Sequence, residues 1–139
     1  MRVIPSKLGL LIVSHSEDAA RGIAQIAAGM AGGKVKIVWT GGDNEGGLGI
    51  SATKILNVLS KILPETEGVL VVPDLGSSVL ATRCALEMLP PEDVAKIIIA
   101  DAPILEGAMM AAVEASCGSS LKKVAETASE ARNLRKVEH

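Results

Sequence analysis

Aromatic side chains are nearly absent: the 139 residues hold one Trp and neither Phe nor Tyr. Surfaces that bind single strands of nucleic acid stack bases on several aromatic rings, which Trp39 alone does not supply. Charge of one sign is missing as well. Fourteen Lys and Arg face sixteen Asp and Glu, a net charge of −2, so no basic field points to a nucleic-acid partner. Cysteine is scarce, and Cys84 and Cys117 stand apart with no CxxC pairing and no neighbouring His. That spacing suggests neither a zinc site nor a disulfide framework. Both read as small buried residues of a reducing compartment.

Long hydrophobic runs are lacking too. Apolar stretches such as Leu8–Val13 fall far short of the roughly 20 residues that cross a bilayer. The Arg2 and Lys7 before that stretch do not make a signal peptide, because the apolar segment is too short and no small-residue cleavage site follows. A soluble cytoplasmic domain is expected, with no membrane partner, no metal and no bound cofactor. What is present suits a folded core: 48% hydrophobic and 22% charged residues, with a mean hydropathy of +0.37 and room for one domain over residues 1–139.

Four short runs rich in Ile, Leu and Val recur at Leu8–Val13, Val35–Trp39, Gly68–Val72 and Lys96–Ala100. They are apolar without alternation, the pattern of strands covered on both faces of a parallel sheet. Helical spacing fills the gaps. Ala19, Ile23, Ile26 and Met30 form one stripe, and Ala52, Ile55, Leu59 and Ile62 a second. Val79, Leu86 and Leu89 support a third helix stopped by Pro90-Pro91. Pro103 opens a fourth through Met109 and Val113, with Met110 also read as packing, and Gly118 closes it. Residues 119–137 read as a charged last helix, beyond a core of about 8–124. The terminal His139 has no role assigned.

This order predicts an α/β fold, an open and mostly parallel sheet with strand order 2-1-3-4 and helices on both faces. Strands 1 and 3 then become neighbours, and the crevice at their carboxyl ends is the expected ligand site. His15 follows strand 1 and Asp74 follows strand 3. If Asp74 accepts the proton of one imidazole nitrogen, the other is left as an oriented nucleophile. Such a pair suits covalent phosphoryl transfer. Ser77 and Ser78 start a helix, where hydroxyls and free backbone N–H groups can hold phosphoryl oxygens. Ser16, ahead of Glu17 and Asp18, reads first as a helix N-cap and second as a phosphate ligand. The two acidic residues would repel a phosphate set over their own turn. The loop Gly41–Gly49 lacks the Gly-Lys-Ser/Thr ending of a nucleotide-binding P-loop, and neither Ser14 nor Ser16 sits in the Gly-x-Ser-x-Gly of a hydrolase.

Val13-Ser14-His15-Ser16, Asp74-Leu75-Gly76-Ser77 and Ala102–Gly107, taken together over about Leu8 to Val124, closely resemble the phosphotransferase subunit of bacterial-type dihydroxyacetone kinases. That family has the fold of the mannose-type IIA domains of the phosphotransferase system (PTS). The resemblance implies a homodimer in which His15 carries phosphate and Asp74 orients it. It implies that Gly76 and Ser77 line the phosphoryl pocket and that Gly49 sits in the loop facing it. The donor it implies is the PTS histidine carrier protein, expected here as a separate chain. The acceptor is ADP on the nucleotide-binding subunit of dihydroxyacetone kinase. Ile50 stands where many relatives have Thr. Two other readings remain open: the IIA component of a mannose-type sugar permease, and a non-catalytic regulatory module linked to the same relay.

Overall fold

The computed structural model describes residues 7–138; Arg2, weighed above as part of a leader, and His139 lie outside them. Four strands, β1 (Gly9–Ser14), β2 (Lys36–Gly41), β3 (Val69–Pro73) and β4 (Ile97–Ile99), form a parallel sheet in the order β2-β1-β3-β4. This is the order expected from the four apolar runs. β1 and β3 are buried along their whole length, which is why they show no polar alternation.

Six α-helices complete the described fold: α1 (Glu17–Ala31), α2 (Ala52–Ile62), α3 (Gly76–Leu86), α4 (Pro91–Val94), α5 (Ile104–Ser116) and α6 (Leu121–Glu130). Successive strand residues point to opposite faces, so Leu10, Ile12, Leu70 and Val72 meet α1, α5 and α6. Leu11, Val13, Val69 and Val71 meet α2 and α3. The expected α2 stripe is buried at Ile55, Leu59 and Ile62, each contributing about 1.5–3 kcal/mol by leaving water.

The inward faces of three other helices differ from expectation. α1 buries Ala20, Ala24, Ala27 and Ala31, while Ile26 and Met30 are about half exposed. α5 buries Gly107, Ala108, Ala111, Ala112 and Ala115. Met109 and Met110 are only half-buried and Val113 is exposed. Where α1 and α5 pack on each other and on the sheet, small side chains permit the close approach and the large ones turn outward. α3 buries Ser78, Thr82 and Ala85, with Val79, Leu86 and Leu89 half-buried; its polar inner face serves the site described below.

The proline pair does not end α3. That helix stops at Leu86, and Pro91 opens the single turn of α4, where its missing N–H costs nothing. The last helix is shorter than 119–137. Ser120 caps α6 at its start, and a 3₁₀ turn, Ala131–Asn133, follows its end. There the Arg132 side chain folds back on the carbonyl of Ser129 and pairs with Asp101. Cys84 and Cys117 are exposed rather than buried, because one lies on the outer face of α3 and the other at the end of α5. Among the described residues no helix is long and apolar enough to cross a membrane.

Candidate active site

The registry of β1 and β3 aligns Val13 with Pro73, so His15 and Asp74 leave adjacent strands side by side. The Asp74 N–H donates to the Val13 carbonyl at 3.0 Å, and the His15 N–H donates to Asp74 Oδ2 at 2.9 Å. The imidazole then lies with Nδ1 3.2 Å from each carboxylate oxygen. Its Nε2 faces Ser77 Oγ at 2.8 Å. An ionised carboxylate only accepts hydrogen bonds, so Nδ1 carries the ring proton and Nε2 keeps its lone pair. Ser77 donates its hydroxyl proton to that lone pair.

Asp74 is held below the usual carboxylate range. Burial pushes its pKa up, but hydrogen bonds from the Ser78 hydroxyl, the His15 backbone and side chain, and the Ser14 hydroxyl outweigh it. It is therefore charged at neutral pH. Among the described residues no three His, Cys, Asp or Glu gather as a metal site.

Two contributors escaped the sequence reading in whole or in part. Ser14, 5% exposed, donates to Asp74 Oδ2 at 3.1 Å and accepts the Ser16 N–H at 3.1 Å. Its one signal in the sequence is a polar residue ending an apolar strand. Ser78, expected to face a phosphoryl group, is fully buried and donates to Asp74 Oδ1 at 2.6 Å.

The remaining site residues divide by helix. The Ser16 hydroxyl accepts the Ala19 N–H at 3.1 Å and so caps α1, ahead of Glu17 and Asp18 in its first turn. α3 has no side-chain cap and no acidic residue in its first turn. The backbone N–H groups of Gly76 and Ser77 have no acceptor among the described residues, which leaves the positive end of α3 beside His15 Nε2.

The glycine-rich loop after β2 braces this arrangement from below. Asp43 Oδ1 accepts the N–H groups of Glu45 and Gly47, and those bonds pull its pKa down. Lys54 Nζ donates to the Gly41 carbonyl at 2.7 Å. Gly49 then donates its N–H to the His15 carbonyl at 2.9 Å. It does so at φ +149°, with the Asp43 side chain 3.2 Å from where a Cβ would stand. This N–H is thus committed to His15. Gly41, also missed, lets β2 approach the His15 turn: a Cβ there would lie 2.6 Å from the Ser14 carbonyl oxygen. A cavity of about 370 Å³ between β2 and α2, lined by Trp39, Val58 and Lys61 among others, includes none of these residues.

A family model, that of the PTS system fructose IIA component (EIIA-man), matches residues 9–125. The chain belongs to this family. Within it the chain is of the DhaM type, as its relatives show. It is 32% identical over 117 residues to the Listeria innocua phosphoryl donor subunit DhaM of PEP-dependent dihydroxyacetone kinase 2, covering 84% of this chain and 93% of that one. It is 34% identical over 120 residues to the Escherichia coli K12 phosphoryl donor subunit DhaM of PEP-dependent dihydroxyacetone kinase. That match covers 84% of this chain but about a quarter of the longer relative. The crystal structure of an unknown function protein, EF1359, superimposes with a TM-score of 0.81 at 31% identity, covering 89% of this chain and 94% of that one. The family match spans β1 through the first turns of α6 and so includes every site residue named above.

Proposed function

We propose that the chain is a phosphoryl carrier subunit that takes a phosphoryl group onto His15 Nε2 and hands it on. The observation that carries this reading is the pairing of Nδ1 with Asp74, which leaves Nε2 facing Ser77 and the unpaired amides of α3. A base with no ligand to activate would not need its second nitrogen aimed at a helix N-terminus.

In the proposed step the Nε2 lone pair forms a bond to phosphorus as the bond to the donor's nitrogen breaks. The proton on Nδ1 stays in place, and the imidazolium charge is offset by Asp74. The Ser77 hydroxyl swings from Nε2 to a phosphoryl oxygen, and the amides of Gly76 and Ser77 hold the others. Ser16 spends a lone pair on Ala19 and keeps its own proton to donate. Gly49 acts through the backbone of His15. The negative first turn of α1 keeps the phosphoryl group over α3. Onward transfer breaks the Nε2–P bond in favour of a phosphate oxygen of the acceptor, and neutral imidazole leaves.

The relatives' names support a place in a phosphoenolpyruvate-dependent dihydroxyacetone kinase. The donor in this reading is the PTS histidine carrier protein, and the acceptor is ADP on the kinase's nucleotide-binding subunit. The working form is a cytoplasmic homodimer, which analytical ultracentrifugation tests. A sugar-permease IIA role is the second reading, favoured by the name of the matching family.

Intact mass after incubation with phosphoenolpyruvate, enzyme I and the histidine carrier protein tests the core claim. Wild type gains one acid-labile phosphate and His15→Ala gains none. Discharge by the ADP-loaded kinase subunit, and not by a mannose-type IIB subunit, separates the two acceptors. Equal labelling of His15→Ala would overturn the assignment.

A further inference from the structure

α3 is built inside out. Its buried face carries Ser78 and Thr82, both fully buried, while Leu80 is 62% exposed. Hydrophobic burial alone would favour the reverse. The two hydroxyls have separate partners: Thr82 Oγ1 donates to the backbone carbonyl of Ser78 at 2.8 Å, and Ser78 Oγ donates to Asp74 Oδ1 at 2.6 Å. On the other side of the carboxylate the buried Ser14 donates to Oδ2 at 3.1 Å.

With two amides, the Ser78 and Ser14 hydroxyls fill most of the acceptor capacity of Asp74. A carboxylate offers about four lone-pair sites. Oδ1 takes Ser78 and the Leu75 N–H at 2.7 Å, and Oδ2 takes Ser14 and the His15 N–H at 2.9 Å. His15 Nδ1 lies between the two oxygens, 3.2 Å from each. Ser78 Oγ is also 3.3 Å from Nδ1, but its proton is spent on Asp74.

We propose that Ser78, with Ser14 as its counterpart, is a positioning residue: it holds Asp74 so that the ring proton stays on His15 Nδ1 and Nε2 remains the transferring nitrogen. The chemistry follows from the basicity of the carboxylate. An Asp74 that already takes four other donors is a weak base, so it orients the Nδ1 proton without withdrawing it. A phosphorylated ring that keeps this proton leaves as neutral imidazole when Nε2–P breaks. A more basic Asp74 would draw the proton off, and the ring would have to leave as an anion. The direction of the Asp74 pKa agrees, with the Ser78 hydroxyl the largest of the effects lowering it. The proposal rests on the phosphoryl-carrier reading for its consequence, but not for the tautomer it asserts.

The test has two arms. In the first, ¹⁵N NMR of the unphosphorylated chain reads the imidazole directly. Wild-type His15 is expected to show a protonated-type Nδ1 and an unprotonated-type Nε2, and Ser78→Ala, which frees the Asp74 carboxylate to turn away from the ring, to shift both signals toward a mixture of tautomers. When those signals are followed against pH, the Asp74-linked step moves to higher pH in Ser78→Ala. In the second arm, onward transfer from phosphorylated protein slows about tenfold in Ser78→Ala, the size of one charge-assisted hydrogen bond. It slows no further when Ser78→Ala is added to Asp74→Asn. Ser14→Ala shifts the same signals in the same direction, so a folding defect in one variant does not remove the test. Imidazole signals unchanged in both serine variants would overturn the assignment. So would an additive loss on the Asp74→Asn background, which would mean that Ser78 acts on the phosphoryl group itself. A wild type that takes up no phosphate overturns the carrier reading instead, and the imidazole arm still decides the role of Ser78.

Discussion

α1 and α3 begin on either side of His15, and their first turns are opposites. α1 is closed by its own chain: Ser16 caps it, and Glu17 and Asp18 complement its dipole. α3 begins at Leu75 with no side-chain cap, no acidic residue and a Gly-Ser-Ser first turn. The free N–H groups at a helix start must go somewhere. At α1 the Ser16 hydroxyl meets the Ala19 N–H, and the carboxylates of Glu17 and Asp18 offset the charge of the rest; the result is stability. At α3 the first two have neither an acceptor nor an acidic neighbour, which is a cost to the empty protein and, on the proposed function, a gain to one holding a phosphoryl group. On the proposed function this difference assigns binding to α3 and support to α1, although both point at the same imidazole.

Asp74 ties the two starts together, since its carboxylate takes the N–H of His15 on one side and of Leu75 on the other. Asp74→Asn should therefore give the largest effect. The amide cannot offset an imidazolium, and phosphoryl uptake in a rapid-quench assay should fall by about 100-fold or more. The acid dependence of stability changes with it. Because Asp74 is held below the ordinary carboxylate range, its contribution is complete above that range and is lost only as pH falls through the lowered value. Wild type should lose stability in that acid window, and Asp74→Asn should lose less, as measured by chemical denaturation from pH 7 downward. An identical acid slope in the two proteins would remove the role given to the carboxylate.

The next effect comes from making α3 start as α1 does. Gly76 has open space where a Cβ would stand, so Gly76→Asp can be placed without a clash. The added charge complements the helix dipole and should raise stability by about 0.3–1 kcal/mol. It also occupies the free amides and repels an incoming phosphate, so transfer should fall roughly tenfold. Higher stability with lower activity is the signature. A variant that transfers normally would show that the amides of α3 take no part.

These two helices also show what the sequence discloses and what it conceals. The sheet order follows from four uninterrupted apolar runs, and the pairing of His15 with Asp74 follows from that order, because the residue after a strand has little freedom of place. Helix faces are harder to read. The outward Ile26 and Met30 of α1 and the inward Ser78 and Thr82 of α3 invert the usual rule, through close helix packing in one case and a half-buried carboxylate in the other. Ser14 and Ser78 are ordinary residues whose importance appears only when Asp74, sixty and four positions away, is beside them. Gly41 is similar, since its neighbours in space are the Ser14 and Ser16 carbonyls.

The smallest effect is expected at Ser16, where capping and phosphate binding make different claims. As the cap of α1, its hydroxyl satisfies one N–H, so Ser16→Ala should cost about 1 kcal/mol of stability. If the hydroxyl proton also reaches a phosphoryl oxygen, transfer should fall, but less than for Gly76→Asp, because the donor stands at the negative turn of α1. Replacing Ser16 by Asp separates the two claims. Aspartate caps as well as serine, so stability returns, while a second negative group beside the phosphoryl position slows transfer below the alanine variant. Recovery of both stability and transfer in Ser16→Asp would leave Ser16 as a cap alone and the phosphoryl group wholly in the care of α3.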